Sequence, residues 1–210
     1  MKIMEKIELL KNTVRPKYTS LDPSHDFAHI ERVVQIAKKL AEIEKADVEI
    51  VMAAAYLHDI VNLPKDHPQR SRASELAAAS AQRILVEIEF DPKKIENVCN
   101  AVLEHSFSRG FRPSSLESAI VQDADRLDAL GAIGIMRTVT CGALMKASYY
   151  NVDDPMAKER SYDDKNFTLD HFYVKLYKLK DLMNTSAAKE EADHRISFMK
   201  SFVAQLMKEI

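Results

Sequence analysis

The stretch VEIVMAAAYLHDI, residues 48–60, decides how the rest of the chain is read. From Val48 to Leu57 it is apolar on nearly every side, the composition of a helix surrounded by protein. It then runs into His58 and Asp59. A carboxylate at the end of a buried helix costs several kcal/mol unless a cation or a metal meets it. The His-Asp pair therefore needs partners from elsewhere in the fold. A salt bridge to one of the 30 Lys and Arg residues would satisfy Asp59 as well as a metal would.

Outward from this stretch the chain reads as helix nearly throughout. Helices are expected over about 1–14, 24–45, 48–60, 71–89, 92–105, 115–130, 132–148, 168–183 and 187–208. Ser24 or Asp22 is the expected cap of the second, and Asp91–Pro92 marks the start of the fifth. Pro64 and Pro68 make 62–68 a loop, Gly110 and Pro113 make 107–113 another, and 149–166 is polar and irregular. The expected fold is all-α, a single-domain helical bundle over 1–210, with a core at 20–148 and C-terminal helices at 168–208 packed on it. Only 4 glycines occur in 210 residues. No GxxxxGK[ST] cradle and no GxGxxG after a strand is present, which argues against P-loop and Rossmann nucleotide handling. A net charge of −2 gives no pull toward a nucleic acid polymer or an anionic membrane. The longest apolar run, Ile50–Leu57, falls far short of the ~20 residues that span a bilayer. Cys99 and Cys141 lack CxxC spacing and read as free thiols in a reducing cytoplasm.

Two other helices place polar groups against apolar surface. His25 and His29 are four apart on one face, and His29 borders the apolar arc beside Val33 and Leu40. A lone histidine there is more often a core residue than a ligand. In IVQDADRLDALG, 120–131, the aspartates Asp123, Asp125 and Asp128 lie among Ile120, Val121, Ala124, Leu127 and Leu130. They cannot all face solvent. Asp125 borders the apolar arc and Asp128 falls within it, and periodicity does not choose between them. Pairing with Arg126, Arg137 or a lysine is the plain alternative to metal binding. Two imidazoles and two carboxylates from three helices would suit one divalent transition metal, Mn, Fe, Ni, Co or Zn, better than Ca.

The order His29, His58-Asp59, Asp125 resembles the H…HD…D signature of the HD superfamily of metal-dependent phosphohydrolases. The words SHDFAHIERV (24–33), AAYLHDI (54–60), VLEHSFS (102–108) and QDADRLDALGAIGIMR (122–137) carry the likeness, and DHFYVKLYKLKDLMNT (170–185) resembles one compact bacterial and archaeal branch. Some members of that branch are nucleotide pyrophosphohydrolases. The resemblance spans about 20–205. It implies an all-α fold and the metal ligands His29, His58, Asp59 and Asp125, and it leaves Asp128 as a neighbour that orients a ligand or water.

A phosphorylated small-molecule substrate, a nucleotide by this resemblance, needs cations and donors at its phosphates. The loop after Asp59 supplies Asn62, Lys65, His67, Arg70 and Arg72, with Lys65 and Arg70 the first choices. A solvated basic loop is the equal alternative for each. Arg109 and Arg112 follow in the next loop. His105 is the expected general acid or a substrate contact, because too few histidines lie between His58 and Asp125 for a two-metal site. Asp59, His105 and Asp128 are thus the expected catalytic groups. Tyr149, Tyr150, Lys158, Arg160 and Tyr162 suggest a lid or a dimer contact in 149–166, and the C-terminal helices allow a homodimer. His171 and His194 read as structural. A non-catalytic nucleotide- or metal-binding module and a plain helical interaction protein are the competing classes.

Overall fold

The computed structural model describes residues 3–18, 26–61, 63, 67–106 and 110–210. Among these residues the chain is all-α: nine α-helices, three short 3₁₀ turns and no strand. A lone bridge joins Ser148 and Phe167. Among the described residues no single helix is long and apolar enough to cross a bilayer. The chain divides into two compact units, 1–125 and 126–210.

The first unit is built around α3 (Val48–Leu57), in which every residue from Glu49 to Leu57 is buried. It packs against α1 (Ile3–Val14), α2 (Phe27–Glu44) and α5 (Pro92–Glu104), and α5 packs on α4 (Ala73–Glu87). The apolar character of α3 is the cause. Each fully buried Val or Leu stabilises the fold by about 1.5–3 kcal/mol. Asp47 caps α3 by accepting from the Glu49 and Ile50 amides. Lys94 on α5 then bonds Asp47 at 2.7 Å and Glu49 at 2.8 Å. On α2 the buried face is His29, Ile30, Val33, Val34, Ala37, Leu40 and Ala41, the arc read from the sequence. Its cap is Asp26, not Ser24 or Asp22, which lie outside the described residues with His25. Asp26 accepts from the His29 amide at 2.9 Å.

The division between units falls inside α6 (Leu116–Asp128). The second unit continues with α7 (Gly131–Leu144), α8 (Asp170–Val174) and α9 (Ser186–Glu209). Gly131 turns the chain at φ +74°, a conformation costly for any residue with a Cβ. The helix expected over 168–183 breaks at Lys175 into α8 and a 3₁₀ stretch, Leu176–Leu182. The irregular segment 149–166 is tied down by its own polar residues. Asp154 accepts from the amides of Lys158 and Glu159. Arg160 holds the buried Asp170 through two bonds, 2.5 and 2.9 Å, and lies over the Phe167 ring. The Tyr162 ring stacks on Tyr173. Those contacts take up Arg160 and Tyr162, which the sequence offered as parts of a lid. His171 pairs with Asp164 at 2.9 Å.

Candidate metal centre

Four helices bring imidazoles and carboxylates together. His29 leaves the first turn of α2 on its buried face. His58 and Asp59 follow the last residue of α3, and His105 follows the last residue of α5. Asp125 projects from α6. One ligand atom each from His29, His58 and Asp125 lies within 4.8 Å of the other two. Asp125 Oδ1 is 3.6 Å from His29 Nε2 and 4.0 Å from His58 Nε2. Asp59 reaches the same cluster: its Oδ2 is 3.8 Å from His58 Nε2 and its Oδ1 is 3.5 Å from His105 Nε2. The three imidazoles stand in a row, edge to face, with centroids 5.4 and 5.1 Å apart.

Hydrogen bonds orient two of these rings. His58 Nδ1 meets the Ala55 carbonyl at 2.8 Å, and His105 Nδ1 meets the Val102 carbonyl at 2.6 Å. A carbonyl only accepts, so each Nδ1 carries the proton. In neutral His58 the Nε2 lone pair then points the other way. That Nε2 is buried and makes no hydrogen bond among the described residues. A buried polar atom left so would be costly in a finished core. As a ligand atom it is accounted for, because a second ring nitrogen anchored on a carbonyl is the usual support of a metal-bound imidazole. Two imidazole nitrogens and a carboxylate oxygen form a mixed donor set of the kind that takes divalent transition metals. The residues present fit such an ion.

The electrostatics agree with that use. Burial holds His58 below the ordinary imidazole pKa, against the pull of Asp59, so it is neutral and able to ligate. Burial favours the neutral acid form of Asp125, but His58 and His29 outweigh it and hold the carboxyl below its usual range. Burial also opposes a charged His105. There the hydrogen bond and charge of Asp59 prevail and lift its pKa above the ordinary value.

The other expected residues are placed differently. Asp128, one turn beyond Asp125, is sealed from solvent and accepts from Arg137 at 2.7 Å. The choice periodicity left open is thereby resolved: Asp125 joins the histidines and Asp128 pairs with an arginine. Arg70 donates to the Leu63 carbonyl, and His67 Nδ1 accepts from the Gln69 amide at 3.1 Å. Both bonds brace the loop that carries them. Arg72 pairs with Glu75. Asn62, Lys65 and Arg109 lie outside the described residues.

Three positioning residues escaped the sequence reading. Gln122 donates to the carbonyls of Glu104 and Phe111, and Glu104 accepts from the Ser114 amide and the Ser118 hydroxyl. Together they fix the end of α5, where His105 emerges. Tyr18 is the third. Its hydroxyl donates to the Tyr56 carbonyl at 2.7 Å, and burial, with the charge of Asp59, pushes its pKa well up. A glutamine on a half-buried helix and a tyrosine near a proline carry no spacing signal.

Comparison with known proteins follows the same residues. The HD domain family model matches 26–130, which spans His29, the His58-Asp59 pair, His105 and Asp125. The Bacillus subtilis protein YpgQ, itself uncharacterised, is 36% identical over all of this chain and 96% of its own. The crystal structure of YpgQ in complex with ADP superposes with a TM-score of 0.80 at 31% identity, covering 100% of this chain and 97% of that one. An HD-superfamily hydrolase from Bacillus thuringiensis gives a TM-score of 0.77 at 35% identity over 99% and 98% of the two chains. The likeness is thus global, and the stretch that the family model matches contains the residues that converge here. The chain belongs to the HD domain family.

Proposed function

We propose that the chain is a metal-dependent phosphohydrolase that cleaves a phosphate ester or anhydride bond of a nucleotide. The observation that carries this reading is His58 Nε2, buried without a hydrogen bond among the described residues and beside ligand atoms of His29 and Asp125. The ADP complex of YpgQ supports a nucleotide as the ligand class. His29, His58 and Asp125 would hold one divalent ion, Mn, Fe, Ni, Co or Zn, with Asp59 as the fourth ligand. Such an ion, when bound, lowers the pKa of a water and polarises a phosphoryl oxygen.

The chain's own groups do the rest. Asp59 Oδ1, 3.5 Å from His105 Nε2, favours a proton on that nitrogen. His105 would donate it to the leaving oxygen as general acid. Lys65, with Asn62 and Arg109, would contact the phosphates. Arg70 would join them by giving up the Leu63 carbonyl, and His67 by its Nε2.

The test is a panel of nucleoside mono-, di- and triphosphates with Mn²⁺ and identification of products. Release of phosphate or pyrophosphate from at least one member is expected, and the product names the bond cleaved. Metal-loaded protein that binds nucleotides and turns over none would make the chain a binding module.

A further inference from the structure

In the second unit α7 leaves one face uncovered. Its buried positions are Gly131, Gly134, Ile135, Thr138 and Gly142. Met136, Val139 and Ala143 follow each other at helical spacing on the opposite side, and all three are exposed. Met136 and Leu144 are each 66% exposed. Past the helix, Met145, Tyr149 and Val152 are exposed as well. The only charge in α7 is Arg137, and it is turned to Asp128 at 2.7 Å. The exposed stripe therefore carries no charge of its own, where a helix face that meets water ordinarily does. The outer face of α9 is the contrast: Phe198 and Phe202 are exposed there, but Glu191, Gln205 and Glu209 share their side of the helix.

Area and charge both point to a second copy of the chain as the occupant. The six large side chains from Met136 to Val152 present on the order of 600 Å² of apolar surface, close to the ~800 Å² per partner of a stable interface. The loop that carries Tyr149 and Val152 is pinned at its base by the Ser148–Phe167 bridge, so docking it costs little ordering. Lys146 and Asp153 are exposed within the same stretch, and neither forms an ion pair among the described residues. In a two-fold contact each residue meets its counterpart's partner reciprocally, so one lysine and one aspartate per chain make two ion pairs across the interface. An uncharged centre sets no like charges against each other at the axis.

We infer that the outer face of α7, with Tyr149 and Val152, is a two-fold interface that takes a second copy of this chain, with Lys146 of each copy against Asp153 of the other. The test is sedimentation equilibrium of the full chain across about 1–100 µM. A species of twice the chain mass is expected. Met136→Glu, at a solvent-facing position that keeps the helix content, sets two like charges near the axis and raises the dimer dissociation constant at least about tenfold. Lys146→Glu and Asp153→Lys each weaken the dimer, and the two together restore it. A chain that stays monomeric to about 100 µM would overturn the inference. So would a dimer indifferent to Met136→Glu, a double reversal that restores nothing, or a monomer that floats with anionic lipid vesicles through this face.

Discussion

Asp128 is 1% exposed and its carboxylate is held by Arg137 at 2.7 Å. Asp125, three residues earlier, is part-exposed and points at two imidazoles. Two aspartates of one sequence word therefore carry different loads. Asp128→Ala leaves the Arg137 guanidinium without its acid and is expected to lower unfolding free energy by about 3 kcal/mol. Metal content measured on the same sample should be unchanged; loss of metal would make Asp128 part of the centre. Asp59→Ala is expected to do the reverse. It removes metal and turnover together while circular dichroism keeps the helix content. Full metal occupancy in that variant would take Asp59 out of the ligand set. Periodicity could name both aspartates but not sort them, because the sorting depends on which cation each one meets in three dimensions; only the family resemblance assigned the metal to Asp125.

At the scale of elements, caps and apolar arcs were the legible part. The buried face of α2 and the uniform burial of α3 follow directly from residue spacing. Asp91–Pro92 starts α5 as read. The cap of α2 was misplaced by a few residues because Asp22, Ser24 and Asp26 are all competent caps, and only the backbone decides among them. Asp26 has a second consequence: its bond ends on the amide of His29 itself. Asp26→Ala should cost about 1 kcal/mol in thermal or denaturant unfolding. It should also weaken metal binding, since the turn that aims His29 loses its anchor. Wild-type metal affinity together with lowered stability would show that the turn holds without the cap. The break after α8 and the ties across 149–166 were illegible for a different reason. Arg160 and Asp170 are ten residues apart and meet through a loop, and no periodicity records such a pair.

For the whole molecule, a chain with four glycines carries neither of the glycine-rich motifs, GxxxxGK[ST] and GxGxxG, that cradle phosphate with backbone. What it offers instead is a set of side chains from separate helices, focused by burial and by hydrogen bonds to main-chain carbonyls. The all-α fold was legible because amphipathic periodicity is a local signal that tertiary packing then uses. The centre was legible as a set of residue types and a family likeness. Its working details were not: the anchored tautomers of His58 and His105, and the Gln122 and Glu104 supports, are facts of assembly. The central claim is that His29, His58 and Asp125 hold one divalent ion. Its most direct measurement is metal stoichiometry and affinity of wild type beside His58→Ala, with helix content followed in parallel. We expect one ion per wild-type chain and binding at least about 100-fold weaker in the folded variant. One ion bound with unchanged affinity by folded His58→Ala would contradict it.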